Sequence, residues 1–310
     1  MTNNENTYHV PVMLQPCLDG LNIQPEGTYV DVTFGGGGHS KAIFQQLNDK
    51  GRLIAFDQDK DALNNTWESP NFLFIPNNFE FLHNSLRLHG IPQVDGVLAD
   101  LGVSSHQFDE AERGFSIRFD AVLDMRMNVN ASYSALELVN EMEADDLLVV
   151  LAKYGEVKSP RKVAEQIVRE RKKKKIRTTG ELVAVLLPIA PKKKENQFLA
   201  QVFQAIRIAV NNELEVLEKF LLQTTKVLRP GGRLVVMTYH SLEDRLVKNF
   251  MKRGSFDGKI EKDFFGNVLK PFTEVVRKPI IADEEEIKLN PRARSAKLRI
   301  AERNDETERI

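Results

Sequence analysis

The chain has 310 residues, with 43 Lys and Arg set against 44 Asp and Glu, so it has room for two domains but no bulk polycationic character. Any surface for nucleic acid must therefore be local. Cys17 is the only cysteine, which excludes an internal disulfide and a cysteine-based zinc cluster, and no other metal-ligand pattern stands out. Residues 1–7 show neither half of a signal peptide and no apolar run is long enough to span a membrane, so the expected location is cytoplasmic.

In chain order, His9-Val-Pro-Val-Met-Leu14 leads into a short segment ending at Gly20, and Gly27 to Asp31 reads as a first buried strand. Four glycines follow, Gly35 to Gly38, then a helix over Ser40 to Leu47 with Ser40 as its N-cap. Gly51 to Asp57, Phe72 to Ile75 and Asp95 to Asp100 read as strands two to four. Strands alternating with helices argue for a parallel sheet. After Asp100 comes a loop, and from residue 108 to 205 the periodicity is helical: Ala135 to Asn140, Ala144 to Tyr154, Arg161 to Arg171 and Gly180 to Leu187. This stretch holds two basic runs, Arg171 to Arg177 and Lys192 to Lys194. A single run is commonly a solvated face, but two in one insertion of a near-neutral chain favour a surface for a polyanion. Val202 to Val227 reads as one long helix stopped by Arg229-Pro-Gly-Gly232, and a fifth strand follows over Gly232 to Tyr239. Glu243 to Met251 suits another helix and Phe272 to Val276 a last strand, ahead of a basic tail over Arg292 to Arg299. The expected organisation is a discontinuous α/β domain (1–107 and 206–310) interrupted by a helical one (108–205).

The glycine loop admits three ligands. A Walker loop needs Gly-Lys-Ser/Thr after the glycines, where this chain has His39-Ser40-Lys41. A dinucleotide fingerprint needs a third glycine, and Ser40 or Lys41 stands at that position, which also disfavours a nicotinamide dehydrogenase. The remaining reading is S-adenosylmethionine, which has no pyrophosphate. Asp31 suits its amino-acid end, the glycines admit close backbone approach, and Asp57 after strand two can accept ribose hydroxyls. The plainer alternative is a flexible turn, but Asp31, Asp57 and Asp100 each follow an expected strand, at the sheet end where such ligands bind.

Several long motifs, in order, resemble the RsmH (MraW) methyltransferase family over nearly the whole chain. They include His9-Val-Pro-Val, Tyr29 to Ser40, Asp95 to Gln107, Arg113-Gly-Phe-Ser, Leu123-Asp-Met-Arg-Met127, Val202 to Ile208, His240 to Arg245 and Asn290 to Arg299. The resemblance implies a Rossmann-like class I methyltransferase fold with an inserted all-helical, RNA-recognising domain. The implied reaction is methyl transfer from S-adenosylmethionine to the N4 amine of a cytosine in small-subunit (16S) ribosomal RNA. Implied cofactor contacts are Gly37, Gly38, His39, Asp57, Phe79, Asp100 and Gln107, a set that starts after Asp31 and leaves it to brace the loop; a helix-capping role for His39 and a core role for Phe79 are the bland alternatives. Departures include Val32 where the family usually has Gly, Phe198-Leu-Ala-Gln201 in place of Pro-Ala-Thr-Arg, and Tyr239 in place of Phe.

Methyl transfer to an amine is an in-line displacement in which the protein mainly positions the reactants. Asp100 is the candidate acceptor for the amine proton, although the same carboxylate could serve the cofactor. His240 is a second catalytic candidate, with a loop hydrogen bond to Asp244 as the alternative. Rival readings are a methyltransferase of this fold acting on DNA or protein, and a non-catalytic RNA-binding scaffold. Oligomeric state is left open, a homodimer included.

Overall fold

The computed structural model describes residues 11–104, 107–108, 110–266 and 268–305. His9, Val10, Ser105 and His106 of the motifs above lie outside them. The chain divides into two compact units, one ending at Gly102 and resuming at Glu215, the other Val103–Leu214.

The first unit is built on seven strands: β1 Thr28–Asp31, β2 Arg52–Phe56, β3 Phe72–Ile75, β4 Val94–Asp100, β5 Leu228–Thr238, β6 Phe272–Glu274 and β7 Lys297–Arg303. Their order is β3-β2-β1-β4-β5-β7-β6. β1 to β5 pair in parallel, and β7 runs antiparallel to both β5 and β6. The inner strands are Val, Ile and Leu runs because helices cover both faces of a parallel sheet, so neighbouring residues on a strand are all withdrawn from water. Val30, Ile54, Val97, Leu98, Val235 and Val236 are each 0–1% exposed. They feed two cores, one around Val97, Phe220 and Phe250, the other around Leu98, Met237 and Ile300.

β7 corrects the reading of a basic tail. Its Leu298, Ile300 and Ala301 are buried, and so are Arg299 and Arg303. Arg299 Nε donates to Asp244 Oδ1 at 2.7 Å, and Arg303 Nη1 donates to the Pro271 carbonyl at 3.1 Å. Each guanidinium enters the interior with its charge or donors satisfied, which makes a basic strand compatible with burial.

The second unit contains helices Ala135–Glu141, Ala144–Gly155, Pro160–Arg171, Thr179–Leu186 and Glu195–Asn211. Their apolar faces meet in a separate core that includes Leu123, Leu138, Leu151, Ile167, Val202 and Ile206. Ser134 and Glu137 form a capping box that starts the first of these helices. The Leu123 to Met127 motif is part of this scaffold: Asp124 takes a bidentate contact from Arg126 at 2.6–2.8 Å, and Met125 and Met127 are tied to Asn211. Burial pushes the Asp124 carboxyl up, but the Arg126 contact outweighs it and leaves the group below the ordinary carboxylate value.

The long helix expected over Val202 to Val227 is two helices, Glu195–Asn211 and Glu213–Val227. Asn212 between them is left-handed at φ 49°, a conformation asparagine tolerates better than most residues. The unit boundaries consequently fall at 102/103 and 214/215 rather than 107/108 and 205/206, because Ile206 and the rest of the first helix pack in the helical core.

Candidate active site

The carboxyl ends of β1, β2 and β4 lie side by side in the first unit, with Asp31 registered against Ala55 and Leu98. β1 leads to β2 on one side and neighbours β4 on the other, so this is the switch point where open α/β sheets hold ligands. The loop after β1 is strung between the two neighbours. Val32 N–H donates to the Leu98 carbonyl, Phe34 N–H to the Phe56 carbonyl, and Gly35 N–H to Asp57 Oδ2 at 2.7 Å. Gly37 sits at φ 74°, and a Cβ on Gly38 would come within 2.3 Å of Pro11, so neither position accepts a side chain without strain. A Cβ on Gly36 would meet no atom within 4 Å, which leaves bare backbone beside open space.

Asp31 is 1% exposed, and its oxygens are occupied within the protein. Oδ1 accepts from Thr33 N at 3.0 Å and Thr33 Oγ1 at 3.3 Å, and Oδ2 accepts from Ser40 Oγ at 2.7 Å. It braces the loop, the role left to it by a contact set that starts at Gly37. Ser40 is likewise no N-cap: the helix runs Gly38–Phe44 behind Gly37, and the serine hydroxyl serves Asp31. Thr33, which the sequence did not single out, carries the brace onward by accepting the Asp100 N–H through Oγ1 at 2.7 Å.

Asp57 and Asp100, unlike Asp31, are only partly buried at their strand ends. Asp57 accepts from Gly35 N and, through Oδ1, from Asp59 N at 2.8 Å. Burial is the main cause that lifts its carboxyl to about 6, those two N–H groups oppose it, and Asp59 and Asp31 add to it. Asp100, the last residue of β4, is also lifted to about 6, again chiefly by burial, with His39 and the Tyr239 hydroxyl opposing and Asp31 and Glu243 adding. Tyr239 donates to Asp100 Oδ1 at 2.8 Å, and His39 Nδ1 stands 3.8 Å from Oδ2. His39 is buried and its Nε2 is 3.0 Å from the Val12 carbonyl, so it tethers the loop instead of capping the helix.

His240 is the N-cap of helix Ser241–Arg253; its Nδ1 accepts the Glu243 N–H at 3.4 Å while Glu243 Oε2 accepts the Tyr239 N–H at 3.0 Å. Nε2 lies 3.1 Å from Glu243 Oε1 but off the hydrogen-bonding direction, so no bond forms there. The neighbour of His240 is thus Glu243, not Asp244, whose oxygens face Arg299 and Lys297. Phe79 is half-buried, packs against the core and meets Phe220 edge-on at 5.2 Å. Gln107 belongs to the second unit, where its Oε1 accepts the Ser104 N–H at 3.2 Å. In the first basic run, Lys173 pairs with Glu170 and Lys174 with Glu181, all at the surface.

S-Adenosylmethionine fits these groups. Its ribose presents hydroxyl donors, and Asp57 is an acceptor hydrogen-bonded to the loop that carries the bare Gly36 backbone. The sheet order with its antiparallel β7 and these strand-end carboxylates define a Rossmann-like class I methyltransferase that uses S-adenosylmethionine as methyl donor. More narrowly, the chain belongs to the MraW methylase family, whose model matches residues 6–304. It is 55% identical over 303 residues to ribosomal RNA small subunit methyltransferase H of Bacteroides fragilis, covering 98% of this chain and all of the relative. The protein of the same name from Parabacteroides distasonis is 56% identical over 304 residues, with 98% and 100% covered. That of Flavobacterium johnsoniae is 56% identical over 296 residues, with 96% and 98% covered. No helix of the described residues is long and apolar enough to cross a membrane.

Proposed function

We propose that this methyltransferase modifies the N4 amine of a cytosine in small-subunit ribosomal RNA, working in the cytoplasm. The relatives named for that RNA support the substrate, and Asp100 supports the chemistry. When bound, S-adenosylmethionine supplies an activated methyl group on a sulfonium. Asp57 and the Gly37–Gly38 backbone would hold that group, and its methyl would be the one the cytosine N4 takes up in line. The nitrogen must also shed a proton, and the Asp100 carboxylate receives it. A carboxyl lifted to about 6 is a better base than an ordinary one and is still largely ionised at neutral pH. The position of Asp100 at the end of β4, bonded through Thr33 to the loop after β1, is the observation that carries the reading.

The remaining residues position and hold. Asp57 accepts the ribose hydroxyls, Gly37 and Gly38 bring backbone against the ligand, and His39 keeps the loop tethered to Val12. His240 fixes the start of its helix through Glu243, which favours a supporting role over direct contact with the base. The target base must leave its stack to reach the methyl group, which is easiest in irregular RNA. The lysines of the helical unit hold the RNA backbone; exposed pairs such as Lys173–Glu170 contribute little stability, so they open readily for phosphate.

The test is incubation with methyl-labelled S-adenosylmethionine and small ribosomal subunits, followed by digestion to nucleosides. Label should appear in N4-methylcytidine, and Asp100→Ala at saturating cofactor should remove it. Label in DNA or protein, binding of RNA without turnover, or wild-type turnover by Asp100→Ala would each overturn the proposal.

A further inference from the structure

We infer that Tyr239 is a positioning residue for methyl transfer: its phenol holds the Asp100 carboxylate in the orientation that receives the amine proton. The inference rests on the reading of Asp100 as proton acceptor. Its ground is geometric. Among the described residues, the Tyr239 hydroxyl is the one side-chain group within hydrogen-bond distance of the Asp100 carboxylate, at 2.8 Å. His39 Nδ1, on the other oxygen, is 3.8 Å away, too far for a hydrogen bond. A carboxylate at the end of a strand turns about two side-chain torsions, and without the phenol no described side chain hydrogen-bonds either oxygen into place.

Tyr239 is itself held at both ends. Its backbone N–H donates to Glu243 Oε2 at 3.0 Å, and Glu243 is buried at 2% exposure inside the helix cap it shares with His240. Tyr239 follows β5, whose Met237 is registered against Asp100 on β4, so the two side chains leave adjacent strand ends. Burial, then the Asp100 charge, pushes the phenol well above its ordinary value, so it stays protonated and donates. A donor aimed at the carboxylate favours its ionised form, the form that can take a proton. The ionisable groups that share this pocket are Asp31, His39 and Glu243 around Asp100, with the buried Cys17 thiol beside Tyr239. Phenylalanine would keep the ring packing and remove the donor alone.

The experiment compares wild type, Tyr239→Phe and Asp100→Asn in kcat–pH profiles on small ribosomal subunits, with thermal melts to confirm folding. For Tyr239→Phe, loss of a hydrogen bond to a charged acceptor should lower kcat about tenfold and move the acid limb up by about one pH unit. KM for cofactor and RNA should stay within about twofold, since binding of neither depends on the phenol. Two outcomes refute the inference separately. If Asp100→Asn is inactive but Tyr239→Phe matches wild type in kcat and profile, Tyr239 positions nothing and Asp100 keeps its role. If Asp100→Asn turns over like wild type, the acceptor reading fails and takes this inference with it.

Discussion

Replacing Asp31 with alanine should separate a brace from a ligand contact. The carboxylate receives Thr33 N, Thr33 Oγ1 and Ser40 Oγ in a setting where Ser40 is 0% exposed. Leaving a buried donor without an acceptor costs about 1–3 kcal/mol, and at least two donors are orphaned, so Asp31→Ala should lose roughly 2–6 kcal/mol. Ser40→Ala removes one of those donors together with its bond to a charged acceptor and should lose about 1.5–3 kcal/mol. Urea unfolding of both variants measures the two losses, and calorimetric titration with S-adenosylmethionine measures binding under conditions where each is still folded. Asp31→Ala should be the less stable of the two, and its cofactor affinity should fall in step with Ser40→Ala as the loop loosens. Thr33 passes the brace to Asp100, so kcat should fall as well. A fully stable Asp31→Ala that no longer binds cofactor would refute this account and restore Asp31 as a ligand contact.

Asp100 also predicts a pH-dependent trade of stability against activity. Its folded-state value of about 6 exceeds the unfolded one, so between roughly pH 4 and 6 the folded chain keeps a proton the unfolded chain has lost, and stability falls as pH rises through that window. Asp100→Asn should therefore resist urea better than wild type at pH 8, by up to about 3 kcal/mol, and lose the advantage near pH 4. Arg299→Ala leaves the partly buried Asp244 with only Lys297, 3.4 Å away, and should lower stability by roughly 2 kcal/mol in thermal melts; a loss below about 0.5 kcal/mol would mean β7 does not depend on that pair. Replacing Lys172 to Lys175 with alanine should weaken RNA binding and reduce the slope of log affinity against log salt by about 0.7 for each phosphate no longer neutralised, with cofactor affinity unchanged. An unaltered slope would place the RNA elsewhere.

The five parallel strands were legible because each carries an apolar run, and β1, β2 and β4 end on or beside a carboxylate. β7 was not, since its basic residues read as a tail; the burial of Arg299 and Arg303 depends on Asp244 and the Pro271 carbonyl, which no local pattern announces. The break at Asn212 was hidden because Asn211 and Asn212 interrupt an otherwise continuous apolar spacing without a glycine or proline to mark it. At the site, the glycines, Asp57 and Asp100 follow from the strand-end rule. Asp31 looked equivalent to them, and its burial and its bonds to Thr33 and Ser40 favour the bracing role. Tyr239 looked like a mild exchange of one aromatic for another, because a sequence does not show where a hydroxyl points.

The place of β7 bears on how the chain comes to be made. β5 finds one neighbour, β4, on the far side of the whole helical unit, and its other neighbour, β7, near the end of the described chain. Among the described residues β6 pairs with β7 alone, so it joins the sheet only once β7 does. During synthesis, β5 therefore presents an unpaired row of backbone donors and acceptors until residues 297–303 have emerged, and such an edge invites pairing with other chains. The lysine and arginines that disguise β7 as a tail also keep that late strand from pairing indiscriminately while it waits. Trimming the chain before Lys297 should leave a protein with a nearly complete cofactor loop and an open sheet, whose failure would be aggregation before any loss of chemistry.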